Sequence, residues 1–205
     1  MGDNPVTISK VPDGKLAAVV TYFEMTQKPE IFGNKTDLTL MAWDRPDLEE
    51  YRKLFRQVGD DWLWFGRLLL TDDELRSAIH DPNVKIFKAM YDGNTVGFVE
   101  LDFSQPEQCE ISYFGLIPEM NGKGRGSIMM AQTLERAWKD GIKRVWLHTC
   151  TNDSPRAPVF YERVGFTAYK REIEIATDPR LSGHLPMDAG RHVPIIPSAK
   201  NISNL

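Results

Sequence analysis

The sequence predicts an α/β (α+β) fold, a mixed and largely antiparallel central sheet with one parallel strand pair and flanking helices. Three observations carry that expectation. Asp92, Gly93 and Asn94 separate two runs rich in β-branched and aromatic residues, Ile86 to Tyr91 and Thr95 to Phe103, and so read as an antiparallel hairpin. A strand-like run from Cys109 to Ile117 leads through a glycine loop and a helical pattern, ending near Lys139, to another run, Arg144 to Cys150; a helix crossing between two strands makes them parallel neighbours. Elsewhere, apolar residues recur at three and four, as on one face of a helix.

In chain order, Leu16 to Met25 is a strand candidate, followed by a loop with Pro29, Gly33 and Asn34, then a second strand candidate from Leu38 to Trp43. Asp47 is placed to cap a helix whose apolar positions are Leu48, Tyr51, Leu54, Phe55 and Val58, ending near Gly59. Trp62, Leu63, Trp64 and Phe65 form a dense cluster that reads as ordinary core packing or as the lining of a pocket. Thr71 with Glu74 has capping-box spacing and opens a short helix that Pro82 closes. After the parallel pair, Asp153 or Ser154 is expected to cap another helix with Pro155 in its first turn and Gly165 at its end; Phe166 to Ala176 returns as a strand. From Thr177 onward, Pro179, Gly183, Pro186, Gly190, Pro194 and Pro197 break any long element, so this tail is expected to be irregular or to strap the domain.

Composition narrows the function classes. A chain of 205 residues with 41% hydrophobic and 10% aromatic content is expected to form one domain, residues 1–205, rather than a disordered chain. A formal net charge of −4 leaves no basic footprint for nucleic acid and mildly favours a cationic partner. Nowhere do 18 apolar residues run together, so no membrane span is expected. Cys109 and Cys150 have no metal-ligand spacing and read as reduced thiols, which points to a cytoplasmic home; His80, His184 and His192 lack paired spacing, so no metal is expected. The strand at Leu16 to Met25 can pair with a sheet edge, its own domain or another subunit, which leaves a homodimer open.

The chemistry is concentrated between Leu116 and Ser127. Gly122, Gly124 and Gly126 let the backbone turn tightly and present N–H groups at the positive end of a helix dipole, a cradle for a pyrophosphate. Gly124 is followed by Arg125 and Gly126 rather than by Lys and Ser or Thr, so a P-loop is disfavoured; an acidic ribose ligand about 20 residues on is also missing, which disfavours a dinucleotide fold.

Leu116, Ile117 and Pro118, followed by Asn121 to Gly126, resemble the acyl-CoA loop of the GCN5-related N-acetyltransferase (GNAT) superfamily, a hydrophobic-x-Pro strand end and Arg/Gln-x-x-Gly-x-Gly/Ala. Asn121 departs from the usual Arg or Gln at the first position. Ala157 to Phe166 resembles the superfamily's Ala-x-x-hydrophobic-Tyr-x-x-x-Gly-Phe run. The resemblance covers a core of about residues 38–176, leaving an extra strand in residues 1–37 and the tail, 177–205.

That resemblance implies a GNAT-like sheet whose parallel strands splay apart, and a transferase moving acetyl from acetyl-CoA to a small-molecule or peptide amine by direct attack. It implies cofactor contacts from Leu116, Asn121, Gly122, Lys123, Gly124, Arg125, Gly126 and Ser127. The Leu116 N–H would polarise the thioester carbonyl, and Tyr161 would protonate the departing thiolate. For the base, Glu110 comes first, because it lies where the histone-acetyltransferase branch carries a strand-borne glutamate and its apolar neighbours raise a carboxyl's pKa. Glu100 and His148 are rivals. Two other readings stay open: a catalytically silent acyl-CoA-binding protein, and a transferase for a longer acyl group such as succinyl.

Overall fold

The computed structural model describes residues 6–30 and 37–198. The expected loop through Gly33 and Asn34 lies outside them. Among the described residues seven strands form one sheet: β1 Lys15–Met25, β2 Leu38–Ala42, β3 Val84–Tyr91, β4 Asn94–Asp102, β5 Gln108–Leu116, β6 Arg144–Cys150 and β7 Thr167–Thr177. It is flanked, among the described residues, by four α-helices: α1 Leu48–Gly59, α2 Asp72–Ile79, α3 Arg125–Ala137 and α4 Ala157–Val164. The strand order is β2-β3-β4-β5-β6-β1-β7, and every pair is antiparallel except β5 with β6.

The local chemistry explains most of these elements. Asp92 and Gly93 both take positive φ, 48° and 75°, which closes the β3–β4 hairpin with the right-handed twist its strands require. Asp47 accepts hydrogen bonds from the N–H groups of Glu49 and Glu50 at the start of α1, and Thr71 and Glu74 form a reciprocal capping box on α2. Gly165, with φ of 109°, ends α4 as expected. The start of α4 differs from expectation: the helix begins at Ala157, Pro158 occupies its first turn, and Arg156 precedes it without a side-chain cap. Asp153 is engaged elsewhere, in the site described below.

β1 sits within the sheet, bonded to β6 on one side and β7 on the other. Its pairing capacity is therefore used internally, and among the described strands the sheet's edges are β2, whose backbone bonds Gln132 and Arg136 of α3, and β7, where Ile173 and Ile175 are exposed. Two apolar cores cover the two faces. One packs Phe23, Leu101, Ile111 and Leu147 against Met129, Met130 and Leu134 of α3 and Tyr161 of α4. The other packs Phe98 and Ile86 against Tyr51, Phe55 and Leu75 from α1 and α2, with Leu185 and Ala189 from the tail. Fully buried groups such as Phe55 and Leu75 each contribute about 1.5–3 kcal/mol to holding their helices down.

The tail has no helix or strand among residues 178–198, yet it is anchored. Arg180 pairs with Asp178 at 2.7 Å, both buried, and its guanidinium also donates to the carbonyls of Ala189 and Val193. The segment is thus a strap.

Candidate active site

The parallel pairing is short. Gln108, Cys109 and Glu110 face Arg144, Val145 and Trp146, and beyond that the strands part, because β5 stays with β4 while β6 stays with β1. A bulge in β5, where Glu100 pairs with Tyr113 and Leu101 with Ile111, leaves Ser112 as the extra residue at the fork. The gap opens into a cavity of about 640 Å³.

Along its upper edge, Ile117 donates its N–H to the carbonyl of Val96 on β4 at 2.9 Å. Strand alternation then turns the Leu116 N–H the opposite way, into the gap. The Gly122 and Gly124 backbones take φ of 80° and 73°, a region costly for any residue with a Cβ. Among the described residues, no backbone N–H from Gly122 to Gly126 donates to a backbone carbonyl, so the N-terminus of α3 offers a row of unpaired donors. This geometry fits a pyrophosphate.

The flanking residues divide. Ser127 donates its N–H to the Gly124 carbonyl at 3.1 Å, closing the first turn of α3, so the available donors are those before it. Arg125 lays its guanidinium over the Tyr91 ring at 4.1 Å with Asp37 at 3.9 Å, a placement among β2 and β3 neighbours rather than on the cavity wall. Lys123 is exposed. Asn121, Gly122 and Gly126 line the cavity, and Phe160 of α4 closes over Gly126.

Tyr161 lines the cavity from α4, packed by Phe23, Phe160 and Phe166. Its hydroxyl makes no hydrogen bond among the described residues, and burial, with Asp153 nearby, pushes its pKa up, so it keeps its proton at neutral pH.

The three candidate bases are placed differently. Glu100 is fully buried, ion-paired to Arg67 and accepting a hydrogen bond from the Tyr51 hydroxyl at 2.7 Å; it does not line the cavity. That engagement makes it a fixture under β4, not a proton acceptor for a ligand. His148 lines the cavity, and its Nδ1 lies 3.8 Å from Oε1 of Glu110. Burial raises the Glu110 pKa to about 7, with the negative charges of Asp102 and Glu100 adding to it, and burial lowers that of His148. At neutral pH the imidazole is uncharged, so this 3.8 Å contact is no ion pair.

Several residues in and around the cavity were not legible in the sequence as part of a candidate site. Asp153, expected as a helix cap, accepts from Trp64 Nε1 at 2.9 Å, Thr149 Oγ1 at 2.6 Å and the Cys150 N–H at 2.9 Å. It thereby ties the loop after α1 to the loop after β6 across the cavity. Val58 and Trp64 approach β5 closely because Gly115 has no side chain; a Cβ there would meet Val58 at 2.4 Å and Trp64 at 3.1 Å. Trp62, Trp64, Phe65 and Tyr113 line one wall, while Leu63 is buried in the core and Trp64, Phe65 and Tyr113 pack against it, so the aromatic cluster is both core and cavity lining. Glu174 of β7 joins it from the far side. His192 of the tail bonds the Asn152 carbonyl at 2.9 Å and packs on Trp62, 5.9 Å between rings, at the cavity's far end. The only advance signal for these residues was the aromatic density near Trp62 and the alternating acids in β7.

Among the described residues no group of three or more His, Cys, Asp or Glu side chains is placed to hold a metal ion, and no helix is long and apolar enough to cross a membrane.

The Acetyltransferase (GNAT) family matches residues 48–166. The uncharacterized N-acetyltransferase YjgM of Escherichia coli (strain K12) is 30% identical over 97 residues, 46% of this chain and 58% of that protein, so the chain spans little more than half of that relative. Among solved structures, a GCN5-related N-acetyltransferase from Sphaerobacter thermophilus superposes with a TM-score of 0.60 at 16% identity, covering 78% of this chain and 51% of the other. An acetyltransferase from Thermus thermophilus superposes with a TM-score of 0.51 at 20% identity, covering 69% and 97%. At these identities the structural likenesses establish the fold.

Proposed function

The chain belongs to the GNAT acetyltransferase family, and from that premise we propose that it is an N-acetyltransferase taking acetyl-CoA and a primary amine together into the forked cavity. The observation that carries the reading is the coincidence, on one cavity and among the described residues, of backbone N–H groups at Gly122 to Gly126 with no backbone partner and a buried Tyr161 hydroxyl that makes no hydrogen bond.

The N–H groups from Gly122 to Gly126 would hold the pyrophosphate, supported by the α3 dipole, with Asn121 alongside. Bound there, acetyl-CoA supplies an acetyl group activated as a thioester. Each protein group then has one task. The Leu116 N–H donates to developing negative charge on a carbonyl oxygen, a role a backbone donor fills without reorganisation. His148 and Glu110 take up the proton an ammonium must lose before its nitrogen can attack; with the Glu110 pKa at about 7, the carboxylate is partly available near neutrality. The Tyr161 hydroxyl gives its proton to a departing thiolate.

The test is acceptor-dependent release of free thiol from acetyl-CoA, followed across a broad library of primary amines. Release with at least one amine class supports the reading. Tight CoA binding with no amine-dependent release across the library would favour a silent acyl-CoA-binding protein.

A further inference from the structure

Resting on the reading of the cavity as an acyl-transfer site, we propose that its acceptor is a primary amine carried on an aromatic or apolar body with no carboxylate beside the nitrogen, an aralkylamine rather than an amino acid or a polyamine. The two ends of the cavity differ in what they can bind. At the α3 and α4 end lie the glycine loop, Phe160 and Arg156, the only guanidinium on the wall among the described residues. Among the described residues, the opposite end has no cation to receive a carboxylate. Arg67 lies behind Tyr113, 5.5 Å from its ring, and is committed to the buried Glu100. His148 has its pKa lowered by burial and is uncharged at neutral pH.

The charge at that end is instead negative. Asp153 and Glu174 both line it, and Glu110 stands behind His148. Asp153 already accepts three hydrogen bonds, which leaves it room for one more donor at most. Glu174 has no hydrogen bond or ion pair among the described residues and is the free carboxylate of the wall. One ammonium is therefore accommodated, whereas an amino acid would bring its own carboxylate against these acids.

The remaining surface is apolar. Trp64 and Tyr113 sit 5.4 Å apart between ring centres, Trp62 and Phe65 extend the same wall, and Ala18 and Val20 of β1 form the floor. A ring or a hydrocarbon body buries against this surface, while a polyamine would have to desolvate further charges there. In the transfer, the amine nitrogen forms a bond to the acetyl carbon as the carbon–sulfur bond breaks. An ammonium and a thioester thus yield an acetamide, a free thiol and one released proton.

Three probes separate the cases: 2-phenylethylamine, L-phenylalanine, which adds only the carboxylate, and spermidine, which lacks the apolar body. With the full chain, calorimetric titration of CoA comes first, then titration of each probe into CoA-saturated protein, then thiol release from acetyl-CoA. We expect 2-phenylethylamine to bind, and to be turned over with kcat/KM at least ~10-fold above both others. Glu174→Gln should narrow its advantage over phenylalanine at least ~3-fold, with CoA affinity unchanged. Equal or better use of phenylalanine or spermidine, or binding of none of the three to CoA-loaded protein, would overturn the acceptor class alone. Failure of CoA itself to bind would instead sink the acyl-transfer reading beneath it.

Discussion

The two ends of the cavity are made of different material. The end at α3 is built of backbone: unpaired N–H groups from Gly122 to Gly126 and the Leu116 N–H at the strand fork, with side chains such as Arg125 turned away toward Tyr91. The end at β7 is built of side chains drawn from five separate segments: Ala18 and Val20 of β1, Trp62 to Phe65 after α1, Tyr113 of β5, Asp153 after β6, and Glu174 of β7. A backbone-built site needs a local run of special residues and is fixed by it. A site built of side chains is fixed only when the sheet assembles, and is free to vary one segment at a time.

Substitutions at the two ends, and at the group between them, separate these roles. Tyr161→Phe should lower kcat about 100-fold while CoA affinity stays within twofold, measured by steady-state kinetics and calorimetry; an unchanged kcat removes Tyr161 from the chemistry. Gly124→Val forces a β-branched residue into positive φ and should weaken CoA binding ~10-fold or more, at about 1–3 kcal/mol of backbone strain, with the amine KM little altered. Trp64→Leu removes both a ring from the far wall and a donor to Asp153; it should raise the amine KM ~5-fold and leave CoA affinity alone. A matching loss of CoA affinity would show that the ends are not separable.

The smallest effect belongs to Glu110→Gln. If Glu110 receives the proton, the ascending limb of the kcat/KM profile near pH 7 should vanish in the variant. Stability gives an independent reading. A carboxyl whose folded-state pKa is raised loses its stabilising contribution as pH climbs from its ordinary 4.5 through about 7. The variant should therefore melt ~3–6 °C higher than the wild type at pH 8.5 and within a degree or two of it at pH 5. No difference at pH 8.5 would mean that the carboxyl is not held protonated by burial.

The same contrast explains what the sequence revealed. The hairpin at Asp92 and Gly93, the capping box at Thr71, the α4 stop at Gly165 and the glycine loop are all local, governed by residues within one turn of each other, and each was readable in advance. The position of β1 between β6 and β7 was not, because a strand's partners are set by the burial of the whole sheet rather than by its own residues. Glu100 and Glu110 are both strand glutamates, and only the family resemblance and its apolar neighbours put Glu110 first. Only the arrival of Arg67 and Tyr51 beside one, and of His148 beside the other, distinguished a buried ion pair from a carboxyl standing next to a cavity-lining imidazole. Asp153 was misread for a related reason: its donors come from Trp64, far earlier in the chain, and from Thr149 and Cys150 on the neighbouring strand end, so a helix-cap reading saw the right acid in the wrong role.

The most direct measurement is a calorimetric titration of CoA into the wild-type chain, Gly124→Val and Trp64→Leu. The account predicts one site per chain in the wild type, affinity lowered ~10-fold or more by the glycine substitution, and affinity within twofold of wild type for the tryptophan substitution. Absence of CoA binding to the wild type, or equal weakening by both substitutions, would contradict a cavity divided into a backbone-built donor end and a side-chain-built acceptor end.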